Sequence, residues 1–282
     1  MLADKPGFIN AGGKLIDLGI PKVMGIINVT PDSFYQGSRV TGDEEIIHAA
    51  VTMINDGADI LDIGGYSSRP SADDVSMEEE KKRVLHAIRL IKDKLPEAII
   101  SVDTFRAEIA YEAITGCGAR IINDISGGDA DKGMFGVVSE LNVPYVMMHM
   151  KGNPRNMQDN PEYDDVVAEI LTWAGVRIAE LRKAGVKDII IDPGFGFGKT
   201  IKHNFEMLNR LSDFSIAGLP LLVGISRKSM IWKTLSISPG EALNGTSVLH
   251  AAALLKGADI LRVHDVKEAV QAVRLIEMLK SV

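Results

Sequence analysis

The chain has 282 residues, 46% hydrophobic and 24% charged, an ordinary globular balance with ample material for a large core. A formal net charge of −7 and a pI near 5.4 exclude a non-specific nucleic-acid binder, which needs a basic face to neutralise phosphates. The single cysteine, Cys117, rules out an intrachain disulfide. No apolar run approaches the roughly 18 residues of a membrane span, and Met-Leu-Ala-Asp-Lys-Pro-Gly at the start holds no apolar signal stretch. No nucleic-acid or membrane partner and a cytoplasmic location are the expectations.

In chain order, Phe8–Leu18 with Gly12-Gly13 at its centre predicts a β-hairpin. Short Ile- and Val-rich runs then alternate with segments of helical period. The predicted strands are Val23–Asn28, Ile60–Ile63, Ile99–Asp103, Arg120–Asn123, Pro144–His149, Ile189–Asp192, Leu221–Gly224 and Ile260–Val263. The clearest helix follows Ser76, whose spacing to Glu79 fits a capping box, with Val84, Ile88, Ile91 and Leu95 on one face. A second begins near Asp164 and puts Val167, Ile170, Leu171, Ala174, Ile178 and Leu181 on one stripe. The last begins near Asp265 and carries Val266, Val270, Val273 and Ile276.

A faint internal repeat supports a recurring unit. Gly57-Ala58-Asp59-Ile60-Leu61 returns as Gly257-Ala258-Asp259-Ile260-Leu261, and the segments at Gly118 and Gly185 vary it. Each glycine suits the left-handed residue that ends a helix just before a strand. Strands joined through helices are parallel and need both faces covered. The fold class is therefore α/β, a TIM (β/α)8 barrel, read as a single domain over residues 1–282. The hairpin, at about 7–20, caps the bottom and the barrel fills 22–282. No glycine-rich dinucleotide fingerprint follows the first strand.

In such a barrel the C-terminal strand ends build the active site. The eight ends deliver Asn28, then Ser68 and Arg69, then Asp103, Asn123-Asp124, Met148-His149, Asp192 with Gly-Phe-Gly-Phe-Gly-Lys199, Ser226-Arg227-Lys228-Ser229, and Arg262-Val-His264-Asp265. Singly, each has a plain structural reading: Asp103 a helix cap, Asn123-Asp124 a turn, His149 a packed and hydrogen-bonded ring, the Gly-Phe-Gly run a loop. Jointly they put polar groups from every strand on one rim. Arg69, Lys228, Arg262 and His264 are cations, or potential cations, suited to an anionic, phosphorylated ligand. Ser229 and Asp265 stand at helix N-termini, which add dipoles. Asp103, Asn123 and Asp192 are acceptors for a flat heterocycle rich in N–H donors, and Phe197 is placed to stack on it. Asn28 offers an oxygen to Mg2+ bound through phosphate. Zinc-spaced His/Cys clusters, a Walker lysine loop and a serine nucleophile elbow are all missing from the sequence.

Along nearly its whole length the chain resembles the dihydropteroate synthase family of the folate pathway. The matching segments are Met24-Gly-Ile-Ile-Asn-Val-Thr-Pro-Asp-Ser-Phe34, Gly64-Gly-Tyr-Ser-Ser-Arg-Pro70, Ser101-Val-Asp-Thr104, Ile122-Asn-Asp-Ile125, Met148-His-Met-Lys-Gly-Asn-Pro154, Asp192-Pro-Gly-Phe-Gly-Phe-Gly-Lys199, Gly224-Ile-Ser-Arg-Lys-Ser229 and Arg262-Val-His-Asp265. Eight segments in order are specific where any one alone is weak. The resemblance implies condensation of 6-hydroxymethyl-7,8-dihydropterin pyrophosphate with p-aminobenzoate, giving 7,8-dihydropteroate and pyrophosphate, and a target of sulfonamides. It implies a pterin site of Asp103, Asn123, Ile125, Met148, Asp192, Phe197, Gly224 and Lys228. The implied pyrophosphate site is Asn28, Ser68, Arg69, Arg262 and His264, with Asn28 on Mg2+. The implied p-aminobenzoate site is Phe34, Ser68, Pro70, Ser226 and Lys228. Asp103, Asp192, Lys228, Arg262 and His264 form the catalytic set, Thr30 and Asp32 join Phe34 on a first mobile loop, and a homodimer through the later helices is expected.

Two departures from the family pattern stand out. Ser67-Ser68-Arg69-Pro70 replaces the more usual Ser-Thr-Arg-Pro, losing a methyl beside p-aminobenzoate. Tyr35-Gln36-Gly37-Ser38-Arg39 replaces an acidic-glycine stretch, which puts the first loop's closure in question. The nearest rival is a pterin-dependent methyltransferase of the same fold, which binds no pyrophosphate. A catalytically silent pterin-binding module is the rival from another class.

Overall fold

The computed structural model describes residues 5–30, 42–66, 75–152, 157 and 161–282. An antiparallel hairpin, β1 (Phe8–Ala11) and β2 (Lys14–Asp17), comes first and turns on Gly12 and Gly13, with φ of 59° and 89°. Strands and helices then alternate: β3 (Lys22–Asn28), α1 (Asp43–Asn55), β4 (Ile60–Gly64), α2 (Met77–Lys94), β5 (Ile100–Asp103), α3 (Ala107–Cys117), β6 (Ile121–Asp124) and α4 (Met134–Leu141). The second half holds β7 (Tyr145–Met148), α5 (Val166–Ala184), β8 (Ile189–Asp192), α6 (Ile201–Asn209), β9 (Leu222–Val223), α7 (Ser229–Leu235), α8 (Leu243–Leu255), β10 (Ile260–Val263) and α9 (Val266–Lys280).

The eight later strands pair in parallel in the order β8-β7-β6-β5-β4-β3-β10-β9. The two ends of the sheet meet where Ile191 bridges Leu221, and the Ile191 N–H donates to the Pro220 carbonyl at 2.9 Å. The sheet is thus a nearly closed barrel with its thin seam between β8 and β9. All eight strands match their expected positions to within a residue at each end. The shortest, β9, keeps only Leu222–Val223, because Pro220 has no N–H for the ladder and Gly224 leaves it at the rim.

Local chemistry explains the helix ends. The Ser76 hydroxyl accepts from the Glu79 N–H at 3.2 Å, and the Asp165 carboxylate accepts from Val167 and Ala168 at 3.0 and 2.9 Å, each satisfying donors that a helix start leaves over. Gly57, Gly118, Gly185 and Gly257 all adopt left-handed φ, from 83° to 100°, as the repeat requires.

Strand alternation sorts the core into two bodies. Outward residues such as Leu61, Val102, Ile122, Met147, Ile191 and Val263 pack under the helices with Val84, Ile88, Ile170, Ala174 and Val273. The first inward residue of each barrel strand or its approach, Met24, Ile60, Ile99, Ile121, Val146, Ile190, Leu222 and Ile260, joins Ile9, Ala11, Ile16 and Leu18 of the hairpin. The hairpin is therefore the apolar floor of the barrel.

Candidate active site

One pleat above that floor the inward positions change character. Two residues on from Ile60, Ile99, Ile121, Val146, Ile190, Leu222 and Ile260 stand Asp62, Ser101, Asn123, Met148, Asp192, Gly224 and Arg262, as the two-residue strand period demands. A further step reaches Gly64, Asp103, Ile125 and His264, with Asn28 at the same height on β3. Seven strands and the turns after them thus bring Asn28, Asp103, Asn123, Ile125, Met148, Asp192, Gly224, Lys228, Arg262 and His264 to one mouth. Gly224 leaves room: a Cβ there would lie 3.7 Å from the Lys228 Nζ and 3.8 Å from the Arg262 Cβ. Gly64 does the same between Asn28 and Asp103, whose Oδ1 and Oδ2 lie 3.6 and 3.5 Å from its Cβ position.

Arg262 is the hub. Its Nε lies 2.6 Å from Asp62 Oδ2 and its Nη2 2.5 Å from Asp103 Oδ2. The Asn123 amide donates to the same Asp62 oxygen at 3.0 Å, leaving Asp62 Oδ1 fully buried without a hydrogen-bond partner. Lys228 donates to the Phe195 carbonyl, and its Nζ lies 4.8 Å from the centre of the Phe197 ring. The Ser226 hydroxyl accepts from the His264 N–H at 3.2 Å and sits 3.1 Å from His264 Nδ1.

Burial raises Asp103 and, less compensated than its Arg262 partner suggests, it is raised further by Asp62, Glu80 and Asp124. Burial also raises Asp192, against the pull of Lys228. The same burial lowers Lys228 to about 8 despite Asp192 and lowers His264 to about 3, helped by Arg262, Arg227 and Lys228. Burial works against the Arg262 charge, yet Asp62 and Asp103 outweigh it and hold the guanidinium protonated. Charges stripped of water and incompletely paired are costly unless a ligand completes them. Burial first, and then the neighbouring Arg262, Arg227 and Lys228, disfavour the charged form of the His264 imidazole, so Arg262 and Lys228 are the stronger sources of positive charge at this mouth.

Neighbouring polar residues divide differently. Asp124 is fully committed to the fold, accepting from Ser126 N–H and Oγ at 2.7 Å, Gly128 N–H at 2.9 Å and the Tyr145 hydroxyl at 2.7 Å. His149 is packed edge-on to Trp173 at 5.0 Å and accepts from Lys199 Nζ at 3.1 Å, so its plain reading holds. Lys199 also donates to the carbonyls of Gly194 and Phe197 at 3.0 and 2.9 Å and so ties down the loop that carries Phe197. Asp265 stands at the start of α9 but makes no cap bond. Thr30 is buried. Asp32, Phe34, Ser68, Arg69 and Pro70 lie outside the described residues.

Asp62 is the residue that sequence reasoning missed. The signal was in the repeat: one position past Gly57–Leu61 and Gly257–Leu261 stand Asp62 and Arg262, equivalent places that here form an ion pair. Among the described residues, no three His, Cys, Asp or Glu gather to hold a metal, and no helix is long and apolar enough to cross a membrane.

The family model for pterin binding enzymes matches residues 24–264. The dihydropteroate synthase of Escherichia coli K12 is 45% identical over 273 residues, 96% of each chain, and that of Bacillus subtilis 42% identical over 91% of this chain and 88% of its own. The Yersinia pestis dihydropteroate synthase, solved with a sulfonamide drug, superposes with a TM-score of 0.94 at 39% identity, covering 98% of this chain and 100% of its own. The Xanthomonas albilineans enzyme, solved with 4-aminobenzoic acid, gives 0.89 at 38%, covering 98% and 99%. Carboxylates gathered with cations at one mouth of the barrel and likeness across the whole chain agree, and the chain belongs to the pterin-binding enzyme family, among the dihydropteroate synthases.

Proposed function

We infer that this chain joins 6-hydroxymethyl-7,8-dihydropterin pyrophosphate to p-aminobenzoate, releasing 7,8-dihydropteroate and pyrophosphate. The observation that carries the reading is the mixed lining of one mouth: Asp62, Asn123, Asp192 and Arg262 share its deeper layer, Asp103 and His264 stand one pleat above, and Lys228 lies beside Asp192. Asp103, Asn123 and Asp192 hold the pterin N–H edge, Met148, Ile125 and Gly224 shape its slot, and Phe197 stacks on the ring. Asn28, Arg262 and His264, with Ser68 and Arg69, hold the pyrophosphate. Phe34, Ser68, Pro70, Ser226 and Lys228 form the p-aminobenzoate end.

The carbon–oxygen bond at the pterin methylene breaks first, its electron pair leaving with pyrophosphate. Arg262 and the start of α9 stabilise that leaving group. The resulting cation, delocalised into the ring, lies against Asp103 and Asp192. Burial disfavours the charged form of both carboxylates, so a cation against them favours their ionisation and is stabilised by it. The arylamine lone pair then forms the new carbon–nitrogen bond and its proton passes to water. This SN1-like course needs neither a strong general base nor a covalent enzyme intermediate. Pyrophosphate release in the absence of p-aminobenzoate is the expected result; trapping a pterin–protein adduct would exclude it.

Mg2+ fits the donors present, since it favours a lone protein oxygen with substrate phosphates over an all-protein cage. Asn28 would hold it, and when bound it neutralises phosphate charge. The exposed Val248 and Leu255 on α8 and Leu275, Met278 and Leu279 on α9, each more than half exposed, support a homodimer through these helices. Sedimentation tests it: a monomer at micromolar concentration excludes it. The lone, buried thiol of Cys117 accords with residence in the cytoplasm.

A further inference from the structure

Arg227 has no task in the reading above, yet few residues of the rim are held more tightly. Its φ of 52° lies in the left-handed region that a long side chain rarely adopts, a strain that persists only where the surroundings over-determine it. They do so on every side. The guanidinium forks onto Asp265, Nε to Oδ2 at 2.8 Å and Nη2 to Oδ1 at 2.9 Å. Its Nη1 donates to the carbonyls of Pro239 and Gly240 at 3.1 and 2.6 Å. Its backbone N–H donates to Thr246 Oγ1 at 3.0 Å, and that hydroxyl donates to the Ala242 carbonyl on entry to α8 at 2.8 Å. One residue earlier, Ser226 receives His264. Two consecutive residues after β9 therefore grip two consecutive residues after β10.

The grip has a cost elsewhere. Asp265 occupies the N-cap of α9, where an aspartate ordinarily accepts from the first turn, and it makes no such bond. Its carboxylate is turned to Arg227 instead. Only a fork can bridge two carboxylate oxygens while a third nitrogen reaches two carbonyls; a lysine ammonium cannot.

We propose that Arg227 and Asp265 are a positioning pair for the reaction: their fork locks the loop after β9 to the loop after β10 and so aims Lys228 and His264, the residues flanking it in the chain, at one ligand. Neither touches the reacting atoms. When Asp265 lets go, the strained backbone at 227 loses the two-pronged part of its restraint, and Lys228 shifts with it. This rests on the roles given above to Lys228 and His264.

The test uses the full chain, pyrophosphate release as the assay and the melting temperature alongside. Asp265→Asn and Arg227→Lys are each expected to lower kcat/KM for the pterin pyrophosphate at least tenfold, with Asp265→Glu restoring part of the loss. His264→Ala is expected to lower it as well. The double variant Asp265→Asn/His264→Ala is expected to fall short of the product of the two single losses by at least threefold, because Asp265 acts in part through His264. Single losses that multiply in full overturn the proposal, since a general loosening of the fold would behave so. Should Asp265→Asn fail to fold, Arg227→Lys carries the same cycle. Full activity in His264→Ala overturns the reading of the site itself. Loss in His264→Ala with a kcat/KM within twofold of the parent in Asp265→Asn overturns the positioning pair alone.

Discussion

The two mouths of the barrel are built on opposite terms. At the bottom, Ile9, Ala11, Ile16 and Leu18 of the hairpin meet eight apolar side chains from the barrel strands, with no charge among them. At the top, two or four residues further along the same strands, three carboxylates face a lysine and an arginine, several of them drained of water. A single strand such as β4 holds Ile60 in the floor and Asp62 in the site. The floor secures the register, and the register aims the charges. Stability and chemistry are separated by one pleat, so changes at each end should leave different signatures.

The largest break in that contrast is Arg262→Ala. Removing one partner from a buried ion pair costs about 3–5 kcal/mol, and here Asp62 and Asp103 are stranded together. The melting temperature should fall sharply along with activity, and adding Asp62→Asn should recover part of the stability but not the activity. An unchanged melting temperature would show that the carboxylates have other partners.

Next comes Asp103. Its folded carboxyl titrates well above the ordinary range near 3.9. The folded state therefore keeps its proton after the unfolded chain has lost its own. Stability of the ligand-free protein should fall as pH rises from about 4 to about 7, and level off above. The difference in unfolding free energy between the parent and Asp103→Asn, measured across that window, should trace this decline, on the order of a few kcal/mol. A flat difference would show the carboxylate to be ionised throughout.

Asp192→Asn is expected to weaken pterin binding by tenfold to a hundredfold, about 1.5–3 kcal/mol for a charged hydrogen bond, because an acceptor becomes a donor facing N–H groups. Calorimetry with the pterin pyrophosphate reads it, and parental affinity would remove Asp192 from the ring edge. The smallest effect belongs to the floor. Ile9→Val should cost about 0.5–1.5 kcal/mol in stability with kcat/KM unchanged at 25 °C. A loss of activity there would mean that the hairpin speaks to the site directly.

How far the sequence foretold this molecule depended on the kind of signal. Periodicity revealed α2, α5 and α9 with their buried faces, because Val84, Ile88, Ile170, Ala174 and Val273 recur at helical spacing. Glycine chemistry revealed the helix-to-strand turns at 57, 118, 185 and 257. The gathering of Asn28, Asp103, Asn123, Asp192, Lys228 and Arg262 at one mouth followed from strand order alone. Asp62 did not show itself, since a carboxylate inside Ile-Leu-Asp-Ile carries no local mark of facing inward. Nor did the lowered basicity of His264, which depends first on its burial in the folded barrel, or the turning of Asp265 away from its helix. These are properties of neighbours in space, and spacing in the chain does not encode them.

The ion pair between Asp62 and Arg262 spans two hundred positions, and β10, which carries Arg262, is inserted between β3 and β9. A chain emerging from the ribosome thus lacks the arginine that neutralises its first interior carboxylate until almost every residue has been made. A product that ended between β5 and β10 would keep Asp62 and Asp103 but not the guanidinium that pairs with both.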